Sequence, residues 1–123
     1  MRNEIGKKIW AFADGELPPA GGYAMQGHES VIILNTSDDE AAVQMTLFFT
    51  DQDPIVIDNI KVGAERVKCV RMDHSEELSG YSAPRELQYA ILLESNVPVV
   101  VQYGRLDTRE QPLAFITSTG YSV

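Results

Sequence analysis

Residues 99–110 read VVVQYGRLDTRE: three valines lead straight into Arg105, Asp107 and Arg109. In an extended chain, residues two apart share a face and lie about 6.6 Å from each other. Val99, Val101, Tyr103, Arg105, Asp107 and Arg109 therefore line one side, with Gln102 and Gly104 on the other. Asp107 sits within reach of an arginine on either side. Two arrangements fit that spacing. One is a solvated ion ladder, worth under about 1 kcal/mol per pair. The other is a row of matched charges in a pocket or at a subunit boundary, where losing one partner of a buried pair costs roughly 3–5 kcal/mol. Arg66, Lys68 and Arg71 add bases on a second segment. Arginines gathered in an acidic chain point to a shaped anionic or polyhydroxyl contact.

The remaining reactive side chains are sparse. His28, His74 and Cys69 fall in three separate segments, whereas a zinc centre needs three or four converging ligands. There is no G-x-S-x-G, P-loop or dinucleotide fingerprint. The expectation is a protein without catalysis, metal or cofactor. Cys69, within RVKCVRM, reads as a small buried hydrophobe rather than a reactive thiol. Trp10, the only tryptophan, reads as core packing with its N–H on a carbonyl rather than as a stacking platform.

Charge and composition narrow the class. Eighteen acids against ten bases give a net charge of −8, which argues against a nucleic-acid binder, since that function needs a phosphate-neutralising face. A single cysteine forbids an internal disulfide and favours a reducing, cytoplasmic setting. The first residues carry lysines without the apolar run of a signal peptide. Stretches such as VPVVV are far shorter than the roughly 20 residues of a membrane helix. A soluble protein is expected, with any membrane role exercised through a partner. The length of 123 residues fits one domain over 1–123.

The elements that must position these residues read as short strands with turn punctuation. Strands are expected at 5–13, 28–36, 42–50, 55–62, 65–72, 86–95, 97–108 and 112–123, with irregular loops at 14–27 and 73–85. The 42–50 strand alternates, with Val43, Met45, Leu47 and Phe49 on one face. Pro98 is expected to begin its strand, where a missing N–H does least harm. About eight strands in so small a domain imply two packed sheets or a barrel.

The chain resembles the sensory rhodopsin transducer family. The matching stretches are GKKIWAFADGELPP (6–19), HESVIILN (28–35), FFTDQDP (48–54), VGAERVKCVR (62–71), SNVPVVVQYGRLDTRE (95–110) and STGY (118–121). The resemblance implies an all-β fold, an antiparallel, jelly-roll-like β-sandwich, assembled as a homotetramer without catalytic activity. It implies a polar signature at Trp10, Glu29, Asn35, Arg66, Gln102, Arg105, Asp107 and Arg109. Tyr103 stands where the rhodopsin partner has histidine. The partners implied are a membrane receptor or, alternatively, a sugar-like small molecule.

Overall fold

The protein is described here from a computed structural model, which covers residues 5–109 and 113–123. The strands are β1 (Lys7–Glu16), β2 (His28–Asn35), β3 (Ala41–Phe49), β4 (Ile55–Val62), β5 (Arg66–Arg71), β6 (Gln88–Asp107), β7 (Ala114–Ser118) and β8 (Tyr121–Ser122). All pairings are antiparallel, and the architecture is a β-sandwich. One face runs β4-β3-β6-β1-β8; in the other, β2 lies between β5 and β6, and β7 pairs with β6.

Strand β6 belongs to both faces. Its first half pairs with β1 and β3, as in Trp10↔Leu93 and Met45↔Leu93. Its second half pairs with β2 and β7, as in Val31↔Tyr103 and Arg105↔Ile116. The two strands expected at 86–95 and 97–108 are therefore one strand of 20 residues. Asn96, left between the two expected strands, accepts the Ala42 N–H at 2.8 Å on its side-chain oxygen, and the backbone runs on extended. Pro98 does not begin a strand. It lies inside β6, between the last register with β3 (Ser95) and the first with β2 (Val100), where its missing N–H spares the ladder.

The other differences are local. The strand expected at 112–123 divides into β7 and β8, separated by Thr119 and Gly120; residue 112 lies outside the described residues. The loop at 73–85 contains a 3-10 turn at Ser75–Leu78, anchored by the buried Leu78. Cys69 is exposed on β5 rather than buried: it pairs with Ile32, on the outer face of a strand whose inward residue is Val70.

Alternation places the core between the sheets. Trp10 and Phe12 of β1, Val31 and Ile33 of β2, Met45 and Leu47 of β3, and Tyr89, Ile91, Leu93, Val99 and Val101 of β6 are buried together. The Trp10 indole donates to the carbonyls of Lys7 (3.1 Å) and Val99 (3.0 Å), so it ties β1 to the middle of β6. Strand β1 runs past Asp14-Gly15 because an irregularity between Phe12 and Gly15 absorbs the turn signal. Gly15 is needed there by close approach: a Cβ would lie 2.8 Å from the buried Tyr89 ring.

That contact gives a direct test. Gly15→Ala should lower stability by about 1–3 kcal/mol through overpacking against Tyr89. Gly22→Ala, where an added Cβ meets nothing within 4 Å, should leave the melting temperature nearly unchanged. Equal melting temperatures for the two variants would contradict the packing described.

Candidate functional site

Strand β2 turns Glu29, Val31, Ile33 and Asn35 inward, and all four are buried. Glu29 thus carries a carboxylate into the sandwich, fully enclosed. An ionised carboxylate so placed is costly unless donors surround it. Here they come from two other strands. The Glu16 N–H of β1 donates to Oε2 at 2.9 Å. The hydroxyls of Tyr89 and Tyr103, from the two halves of β6, donate to Oε1 and Oε2. Arg105 brings its Nε to 3.6 Å from Oε2, while its Nη2 donates to the Glu16 carbonyl at 2.8 Å. The Arg105 Nε is buried and has no hydrogen-bond partner. Burial pushes the Glu29 carboxyl above its ordinary value, opposed by Tyr89, the Glu16 N–H and Arg105. Burial and the neighbouring Glu29 charge keep the Tyr89 hydroxyl far above its usual range, so it stays a donor.

The row of Arg105, Asp107 and Arg109 divides. Arg105 turns to Glu29 and acts on Asp107 by charge only, whereas Arg109 hydrogen-bonds Asp107, its backbone N–H and Nε both 3.0 Å from Oδ1. Those hydrogen bonds lower the Asp107 carboxyl to about 2. The Arg109 side chain is 56% exposed. The inner end of the row is therefore a buried network and the outer end a solvated pair; the expected three-residue ladder with Asp107 bridging both arginines does not form.

The other signature residues lie elsewhere. The Asn35 amide donates to the carbonyls of Asp39 (2.8 Å), Val62 (3.1 Å) and Gly63 (3.1 Å), and its oxygen accepts from Ser37. It is a clasp for the turn between β2 and β3. Arg66 pairs with Asn35 in the ladder, at the opposite end from the Ser30↔Arg71 pair, roughly 17 Å away along the strand. It is exposed and donates to the Glu65 carbonyl at 3.0 Å. Gln102 is exposed on the outer face opposite Ile32, and Trp10 is core. The eight residues thus do not form one site: Glu29 and Arg105 meet, as do Asp107 and Arg109, and Asn35, Arg66, Gln102 and Trp10 stand apart.

A second network falls outside the sequence-based expectation. Arg71 grips Asp73 through Nε and Nη2, both at 2.8 Å. Arg85 donates to the carbonyls of Pro18 (2.6 Å) and Gly27 (2.8 Å) and lies 3.9 Å from Asp73. Burial would raise the Asp73 carboxyl, but the hydrogen bonds and charge of Arg71 prevail and hold it below its ordinary value. These bonds stitch the loop before β2 to the segment after β5. Between them opens a cleft of about 520 Å³ lined by Ala24, Met25, Gln26, Arg71, Asp73 and His74. The segment DHSEE reads as solvated in sequence because Asp, His, Ser and Glu are all surface types; only the fold shows that Asp73 is covered. Among the described residues no three His, Cys, Asp or Glu side chains converge as a metal site.

Comparison with known proteins agrees with this architecture. The sequence profile described as Anabaena sensory rhodopsin transducer matches residues 5–122. The crystal structure of Thermotoga maritima 1070 superposes with a TM-score of 0.86 at 32% identity, covering 96% of each chain. The structure of the Anabaena sensory rhodopsin transducer superposes with a TM-score of 0.72 at 38% identity, covering 83% of this chain and 97% of that one. No protein with a curated description matches.

The buried carboxylate makes a signed prediction. Because the folded chain holds the Glu29 proton more tightly than the unfolded chain does, the associated stability is complete below 4.5 and is lost as pH rises through the higher folded value. Asp107 acts oppositely, and its window lies between its ordinary 3.8 and about 2. Melting temperature should therefore fall from pH 4.5 upward more steeply in the wild type than in Glu29→Gln. Identical slopes would show that Glu29 titrates as if solvated.

Proposed function

We propose, from the premise that this chain belongs to the Anabaena sensory rhodopsin transducer family, that it is a non-enzymatic, cytoplasmic signal transducer. It acts by docking on a membrane receptor while assembled as a homotetramer. The observation that carries this reading is the C-terminal edge. Every residue of β7 is exposed, including Phe115 and Ile116, and Leu113, Tyr121 and Val123 are exposed beside it. An edge strand with open backbone groups and large apolar side chains invites a further chain. No helix among the described residues is long and apolar enough to cross a membrane, so the receptor would supply the membrane span.

A second reading is a sugar-like small-molecule binding module. The observation favouring it is the buried Arg105 Nε without a partner, beside the exposed Arg109–Asp107 pair.

Three measurements test these readings. Analytical ultracentrifugation should give a tetramer, and the double substitution Phe115→Ser, Ile116→Ser should shift it toward monomer. Titration with a detergent-solubilised sensory rhodopsin should then give an affinity that differs between light and dark; a monomeric wild type with no such binding would end the transducer reading. For the second reading, a sugar acid present at 100 times its dissociation constant should stabilise the fold by about 2.7 kcal/mol. That stabilisation should disappear in Arg105→Met. A flat thermal response across sugars and sugar acids would remove it.

A further inference from the structure

A cleft of about 320 Å³ opens between β1 and the turn that joins β7 to β8. Three aromatic side chains, Phe12, Tyr103 and Tyr121, and one carboxylate, Asp14, line it. We infer that it binds a small organic cation, a free substituted ammonium such as a trimethylammonium compound. Such a site lies apart from the Arg105–Arg109 segment and depends on neither of the two readings above.

The cleft exists because of how the last residues are tied down. Strand β7 pairs with the second half of β6, with Ser118 opposite Tyr103. Strand β8 pairs with β1, with Tyr121 opposite Ala11. Thr119 and Gly120 therefore carry the chain from one sheet to the other. Backbone hydrogen bonds in both directions between Ile9 and Val123, at 3.1 and 3.3 Å, fix the end. Gly120 approaches β1 so closely that a Cβ there would lie 2.7 Å from the Ala11 carbonyl oxygen and 2.8 Å from the Phe12 ring. The small side chains of Ala11, Ala13 and Ser118 leave space that larger ones would fill. Phe12 and Tyr103 are buried beneath it, with ring centroids 6.0 Å apart, while Tyr121 stands at the rim, 70% exposed. A cleft preformed in this way loses less ordering entropy on binding.

Charge decides the class of ligand. No lysine, arginine or histidine stands among the described residues that line the cleft, so an anion would meet Asp14 with nothing to offset it. A cation is matched by that carboxylate, which accepts only a long hydrogen bond, 3.4 Å, from the Gln88 amide. The rings act in the same direction, since an aromatic face attracts a cation within about 6 Å of its centroid. The Tyr103 hydroxyl donates to the Glu29 carboxylate, and a phenol that donates to a carboxylate gains electron density in its ring. A metal ion is not what such a lining suits: hard cations require several converging oxygens, and among the described residues no three His, Cys, Asp or Glu side chains gather for one. Rings and methyl groups instead suit a charge wrapped in methyl or methylene groups. The volume is at the small end for a ligand site, which fits a molecule of a few heavy atoms.

The test is an amide chemical-shift titration of the full chain with three probes: choline, phosphocholine, and 3,3-dimethyl-1-butanol, which has the shape of choline without its charge. Choline should give saturable shifts at residues 11–14 and 118–121. The neutral isostere should bind at least about fivefold more weakly, a difference of roughly 1 kcal/mol. Asp14→Asn and Tyr121→Ala, both at exposed positions, should keep the spectrum of a folded chain and each weaken choline by a similar factor. No saturable shift at those residues, equal affinity for the neutral isostere, or full choline affinity in both variants would overturn the inference. Tighter binding of phosphocholine than of choline would also overturn it, assigning the cleft to a lipid headgroup instead of a free cation.

Discussion

The constraint on which most of this fold depends is a single carboxylate taken out of water. Glu29 lies on β2, and its hydrogen-bond donors come from β1 and from both halves of β6. Tyr89 donates from the half of β6 that pairs with β3, and Tyr103 from the half that pairs with β2. Those two hydroxyls reach one carboxylate only if β6 crosses from one sheet to the other in the observed register. A one-residue slip would turn Tyr103 to the outer face and bring Gln102 inward, leaving a buried charge short of a donor. Polar satisfaction thus enforces the same register that the apolar alternation of Val99, Val101 and Tyr103 favours. The two requirements reinforce each other.

That agreement explains how much of the fold was readable from sequence. Period-two alternation in 42–50, β-branched enrichment in 28–36 and the strand read at 55–62 place β2, β3 and β4 within a residue of their observed bounds, because local pattern and tertiary burial ask for the same thing. The readings fail where a tertiary partner overrides a local signal. Asn96 carries turn propensity, but the Ala42 N–H takes its side chain, which removes the competition that makes asparagine a breaker. Asp14-Gly15 is a turn dipeptide, yet the Tyr89 ring against Gly15 requires a residue without a Cβ inside a strand. Cys69 was read as buried from residue type alone, and the inward register of β5 had gone to Val70.

The site was less legible than the fold for a related reason. Strand spacing correctly puts Arg105 and Asp107 on one face, but it says nothing of side-chain reach. A guanidinium extends far enough to turn inward to Glu29 while the next acid two residues on stays at the rim with Arg109. Tyr89 gave no polar signal, since a tyrosine in an apolar strand looks like any core aromatic. Arg85 was invisible because its partners are distant in sequence: it bonds carbonyls at Pro18 and Gly27, which no local pattern encodes; Asp73 has its partner Arg71 two residues away, but its surface-type neighbours conceal its burial. The resemblance-derived signature gathered residues that matter separately: a buried network, a turn clasp and a core indole.

The way the arginines are used bears on what the surface can do. Arg71, Arg85, Arg105 and Arg109 each hydrogen-bond a carboxylate or a backbone carbonyl of the chain itself. In a chain of net charge −8, those four bases are already engaged, while Lys7, Lys8 and Arg66 stay exposed. The outside also offers the apolar edge of β7, with Phe115 and Ile116 more than half exposed. Recognition through such a face is governed by shape and desolvation and depends weakly on salt. The Glu29 network ties the strand beside that edge, β6, to both sheets.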